Sequence, residues 1–118
     1  MKPAELVARL FAARTAAHMA HLQTTSYAQH MALGEFYEAI VDLADHYAEA
    51  YQGCCGVMDA YPSVPLPTGT PAAWLPTLRA WVRTHREECA DGKTELANLI
   101  DEVLAQLDST IYKIQRLR

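Results

Sequence analysis

Among the side chains able to hold a metal ion between positions 18 and 49, His18, His21, His30, Asp42, Asp45, His46 and Glu49 carry the spacing of interest. Imidazole nitrogens mixed with carboxylate oxygens suit iron, manganese or zinc. The set with the most suggestive spacing is His18, His30, Asp45 and Glu49; His21, Asp42 and His46 are secondary members. If one helix carries Tyr27 to Tyr51, His30 and Asp45 stand about 22 Å apart along its axis at ~1.5 Å per residue, so they cannot share an ion within one chain. Asp45 and Glu49 can, because residues i and i+4 share a helix face. His18 approaches His30 if a preceding helix turns back over Thr24–Ser26. The chain then offers a histidine pair and a carboxylate pair, each half a site. A two-fold dimer of antiparallel helices would join each half to the partner's other half and build two equal sites.

The elements that must position these groups are helices. Pro3 suits a first helical turn, with Leu6, Leu10 and Phe11 continuing a stripe into the Ala-rich run Ala12–Ala20. Thr24-Thr25-Ser26 is a cluster of N-cap residues for a second helix, whose apolar side runs Leu33, Phe36, Tyr37, Ile40, Leu43, Ala44 and Tyr47. Gly53 is the expected C-cap. Pro62, Pro65, Pro67, Pro71 and Pro76, with Gly69 among them, demand an extended connection. A third helix follows through Leu78, Trp81 and Val82 and is broken at Asp91-Gly92. The last, from Leu96 to Leu117, holds the i, i+3, i+4, i+7 pattern throughout. Nothing alternates as a strand does. The expectation is an all-α four-helix bundle, with helices near 3–23, 26–52, 71–90 and 92–117, two hairpins and a crossover near 53–70.

Composition sets limits. Apolar residues make up 51% of the 118-residue chain and charged residues 20%, a globular balance that also fits one domain. No apolar run reaches the roughly eighteen residues that span a bilayer, and the N-terminus is a poor signal peptide, so the cytoplasm is the expected location. A net charge of −4 argues against nucleic-acid binding. Lys113, Arg116 and Arg118 instead suit the negative pole of the last helix. The three cysteines include no CxxC, and reduced, partly buried thiols are expected. Tyr27, Tyr37, Tyr47 and Tyr51 are expected to bury their rings with wet hydroxyls, His46 and His85 to lie on the surface, and Trp74 and Trp81 to anchor the crossover. No hydrolase triad or phosphate-binding loop is present.

The interval His18–His30–Asp45–Glu49, with Ala17 before the first histidine and a continuous helix from the second, resembles the ferroxidase signature of Dps-type miniferritins. That resemblance covers Ala17 to about Gly53, and more loosely Ser26-Tyr27-Ala28-Gln29-His30 and the Tyr-Lys-Ile-Gln-Arg-Leu ending are similar to phage-encoded ferritin-like proteins. It implies a ferritin-like bundle in which His18 and His30 of one subunit and Asp45 and Glu49 of its mate bind iron, and in which oxygen or peroxide oxidises Fe(II). Met19 stands where the family usually has Trp, Gly34 where it often has a carboxylate, the connection is Pro-rich rather than helical, and a basic tail is absent. No histidine has a glutamate three residues earlier, which excludes the Glu-x-x-His pattern of intrachain diiron bundles. The expected partner is a second copy of the chain, the expected cofactor iron (or manganese or zinc). The alternative is a metal-free bundle acting as a phage virion or host-directed interaction protein.

Overall fold

The computed structural model describes residues 1–118 and contains α1 (Lys2–Gln23), α2 (Tyr27–Cys55), α3 (Pro71–Ala90) and α4 (Thr94–Arg116), with no strand. α1 packs against α2 and α3, and α4 packs against the same two, so α1/α4 and α2/α3 are the diagonals of a four-helix bundle. The bundle measures 43 × 25 × 21 Å. Lys113 near the end of α4 pairs with Glu35 early in α2 at 2.7 Å, which sets those helices antiparallel. Tyr47 late in α2 bonds Cys89 at the end of α3, so the crossover returns the chain along the bundle and α3 runs parallel to α2. The expected arrangement of two hairpins joined by one long connection is the one observed.

The local reasons follow from the sequence. Pro3 and Pro71 occupy first turns, where a missing N–H costs nothing. Ser26 caps α2 by accepting the Gln29 N–H at 3.2 Å, and Thr24 Oγ1 accepts the Ser26 N–H at 3.1 Å. α3 ends where Asp91 enters the left-handed region at φ 50° and Gly92 follows at φ 73°, turning the chain into α4. Leu96, Ile100, Val103, Leu107 and Ile111 of α4 meet Leu33, Phe36 and Ile40 of α2, Leu6 and Leu10 of α1, and Leu75 and Val82 of α3 in one buried core. Trp74 is buried under the crossover as expected of an anchor.

Several expectations are corrected. α2 does not stop at Gly53 but continues to Cys55 and is capped by Gly56 at φ 106°. Gly53 has nothing near it and can stay helical, whereas only Gly56 takes up the positive φ of the exit. Gln52 then accepts the Met58 N–H at 3.0 Å and holds Met58 buried over the end of the core. Cys54 and Cys55 are joined in a disulfide between adjacent residues, not reduced as expected, while Cys89 is a buried free thiol. Phe11, assigned to the core stripe, is 41% exposed, because it lies on the outer side of α1. Leu117 lies beyond the end of α4 and is exposed. Tyr47 is wholly buried with its hydroxyl bonded to protein, and Tyr27 is exposed, so neither has the buried ring and wet hydroxyl expected.

Candidate functional site

The close antiparallel packing of α1 on α2 brings His21 against His30. His21 Nδ1 lies 2.6 Å from the His30 carbonyl oxygen, and His30 Nδ1 lies 2.8 Å from the His21 carbonyl oxygen. A carbonyl oxygen only accepts, so each Nδ1 carries a hydrogen and donates it, and Nε2 of each ring is left outside the clasp. The two rings stack with centroids 3.7 Å apart and planes 16° from parallel. This clasp satisfies the His21 carbonyl, one of the last four of α1 that no helical N–H can reach.

Gly34 makes the clasp sterically feasible. A Cβ at that position would meet His21 Cε1 at 3.1 Å and Nδ1 at 3.3 Å. The space that a side chain at Gly34 would take is filled by the His21 imidazole from the other helix. His18 does not join the stack. Its ring lies flat on Tyr37 at 4.1 Å, with His21 6.2 Å away and tilted. The Arg14 guanidinium sits over the same tyrosine ring, 5.7 Å from its centre. The histidine-rich end of the hairpin is thus a half-buried aromatic stack, His18–Tyr37 beside His21–His30.

The carboxylates lie elsewhere on α2. Asp42, Asp45, His46 and Glu49 are all exposed, and none makes an ion pair or side-chain hydrogen bond within the chain; Asp42 and His46 do not pair. Since α2 is one unbroken helix, His30 and Asp45 keep the separation of about 22 Å that ~1.5 Å per residue imposes. No three His, Cys, Asp or Glu side chains of one chain come together as a metal-holding group. The stacked pair also does not chelate one ion as placed. Lone pairs lie in the ring planes, and planes this close to parallel do not meet at a point about 2.1 Å from both nitrogens.

Tyr27, Met31, Glu38, Asp42, Asp45 and Glu49 follow one another at three, four or seven residues and so share the outer side of α2. Phe11 and Leu22 flank them from α1, and all of these are exposed. The face changes along its length: Leu22, Tyr27 and Met31 sit beside the hairpin turn, Glu38 follows, and Asp42, Asp45 and Glu49 occupy the far half of α2.

Sequence reasoning underrated His21, which holds His30 in place of His18. The usable signal was Gly34, a residue with no side chain on a helix otherwise rich in good helix formers. It also missed the Tyr47–Cys89 contact. The Tyr47 hydroxyl donates to the Cys89 carbonyl at 2.8 Å, across the α2/α3 diagonal where the backbones do not meet. Burial raises the Tyr47 phenol strongly and pushes the Cys89 thiol up to about 11.

Fold and face together define a small helical-bundle protein clasped by histidines at one hairpin. The chain belongs to the family described as "Family of unknown function (DUF5856)", which residues 21–114 match. A protein of Enterobacteria phage T4, described as "Uncharacterized 14.6 kDa protein in mobD-ri intergenic region", is 38% identical over 73 residues, which cover 58% of this chain and 56% of that protein. The chain therefore spans little more than half the length of this relative. No solved structure matches the chain. No helix is long and apolar enough to cross a membrane.

Proposed function

We propose that the chain is a phage-type helical module that works by protein contact, and that the outer face of the α1–α2 hairpin pairs first with a second copy of itself. The observation that carries this reading is the change of character along that face. Leu22 is 71% exposed and Tyr27 76%, with Met31 beside them, and Asp42, Asp45 and Glu49 lie further along α2 without partners of their own. A two-fold axis across the hairpin would lay the turn end of each copy, with its histidines and Arg14, along the acidic half of the other. Burying the apolar end would drive the association at about 25 cal/mol per Å², and the charge pattern would fix its direction. The phage T4 relative fits a phage setting for such a module; its place in a virion or against a host component is part of the proposal.

A second reading adds a divalent metal, iron first, held between the two copies by histidines of one and by Asp45 and Glu49 of the other. What favours it is the donation of each Nδ1–H to a backbone carbonyl, the support that metal-binding histidines ordinarily have. His30 and His18 would then provide separate ligands to the site, with His21 holding His30. Oxidation of bound Fe(II) would need an open coordination position in such a site.

Sedimentation equilibrium tests the first reading. Wild type is expected as a dimer, and Leu22→Glu with Met31→Glu as a helical monomer. A monomeric wild type at tens of micromolar would end it. Anaerobic Fe(II) titration followed by air tests the second, on wild type and on Asp45→Ala with Glu49→Ala. Saturable binding and oxidation, lost in the variant while it stays dimeric, would support an intersubunit metal site. A well-folded dimer that binds no iron would leave only the protein-contact reading.

A further inference from the structure

On another side of the bundle, the Pro-rich crossover does not lie flat on α1 and α3. It stands off to leave a half-open cavity of about 430 Å³, within the roughly 300–1,000 Å³ range of small-ligand sites. Its walls are apolar: Trp74, Leu78 and Trp81 from α3, Leu66 and Pro67 from the crossover. Trp74 is buried, whereas Leu66 is 41% exposed at the edge. A wall of two indoles and a proline-stiffened segment is preformed, so little ordering entropy is lost when a ligand enters.

Thr68 and Thr77 add neutral polar groups, and the only charged lining residue is Arg9. The Arg9 guanidinium lies over the Trp81 ring, 4.7 Å from its centre, and Lys2 Nζ is 5.8 Å from the same ring. Both cations converge on the single carboxylate of Glu5. Lys2 lies 3.2 Å from it, and Arg9 binds it through Nε at 2.9 Å and Nη2 at 2.8 Å. The Nη1 edge of Arg9 has no protein partner. Two cations against one acid leave a net positive charge beside this cavity, in a chain whose total is −4. An apolar wall with a spare guanidinium edge matches one ligand chemistry: an apolar body ending in a carboxylate or similar anion.

We infer that the cavity between the crossover, α1 and α3 binds a small amphiphilic anion of the acyl or aryl carboxylate class. The apolar body lies against Trp74, Leu78 and Leu66, and the anionic head is held by Arg9 beside Trp81. This site is independent of the hairpin face and of any metal.

The test uses the whole protein, because Trp74 and Trp81 are the two tryptophans of the chain and both line the cavity. Tryptophan emission is followed during titration with octanoate and, separately, with octanol. Expected is a saturable change with octanoate, at least fivefold tighter than with octanol. In Arg9→Gln the octanoate affinity falls to the octanol level while octanol binding is unchanged. Leu66→Ser and Ala73→Glu, both at exposed positions on the rim, each weaken octanoate at least tenfold with far-ultraviolet circular dichroism and melting temperature preserved. Two rim variants are used so that failure of one to fold leaves the other to decide. No saturable change at millimolar octanoate in folded wild type overturns the proposal. So does equal binding of octanoate and octanol, or octanoate binding indifferent to both rim variants.

Discussion

His21 and His30 each donate a ring N–H to the other's backbone carbonyl, at 2.6 and 2.8 Å, while their rings stack 3.7 Å apart. The two residues thereby close the α1–α2 hairpin with side chains that the sequence offered as metal ligands. Replacing His30 by Ala removes one donor, orphans a carbonyl and unstacks the other ring. The expected cost is about 1–3 kcal/mol. His18→Ala, which loses only the stack on Tyr37, is expected to cost less. Urea denaturation of the two variants compares them directly, and a larger loss for His18→Ala would show that the clasp is not what holds the turn.

Gly34 makes a prediction with a sign that depends on its neighbour. In an exposed helix interior Gly→Ala gains up to about 1 kcal/mol of helix propensity. Here the new methyl meets the His21 ring at 3.1 Å, and that ring is held by its hydrogen bond to the His30 carbonyl and by its stack on the His30 ring. Gly34→Ala is therefore expected to gain nothing or to destabilise. In a His21→Ala background the same change should stabilise by about 1 kcal/mol. The double-mutant cycle reads the coupling; additive effects would mean that the ring is free to yield.

At the opposite end of the bundle, the Tyr47 hydroxyl satisfies the Cys89 carbonyl, one of the last carbonyls of α3 and beyond reach of any helical N–H. Tyr47→Phe strands a buried acceptor and is expected to cost about 1–3 kcal/mol in chemical denaturation. A loss below a few tenths would mean that water replaces the phenol.

The same buried pair gives the bundle an alkaline limit. The Cys89 thiol titrates near 11 when folded, against about 8.5 when unfolded. Because the folded value is raised, its contribution is complete below pH ~8.5 and is lost as pH climbs from there through 11, at up to about 1.4 kcal/mol per unit. Burial raises Tyr47 as well, so its loss adds to the alkaline end of that window. Stability against pH should fall from about pH 9 in wild type and more shallowly in Cys89→Ala; identical slopes would remove Cys89 from the account.

Ser26 caps α2 through the Gln29 N–H. Ser26→Ala should cost about 1 kcal/mol, and Ser26→Asp should retain most of it. Equal losses for both would place the stabilisation in the Thr24 contacts instead.

Much of this architecture was legible because helices announce themselves locally. The stripe Leu96–Ile111, the prolines at 62–67, the cap residues 24–26 and the stop at Asp91-Gly92 each act within a few residues of where they stand, and the four helices with their crossover follow; Pro76, read as part of the extended connection, lies inside α3. The type of chemistry available between His18 and Glu49 was legible too, as was the impossibility of one chain joining His30 to Asp45, since that needs only the rise of a helix. The end of α2 was misplaced by a turn because Gly53 and Gly56 look alike until the backbone direction of the exit is known. Which histidine meets His30 is different in kind. His18 and His21 are both compatible with a hairpin. The choice rests on the depth to which α1 settles onto α2, which Gly34 sets by leaving room for one ring. Likewise Tyr47 reaches Cys89 across a diagonal of the bundle, 42 residues along the chain. The sequence determined the helices and the inventory of groups by short-range sterics and periodicity; the tertiary packing alone decided which of those groups are spent on closing the fold and which remain on its surface.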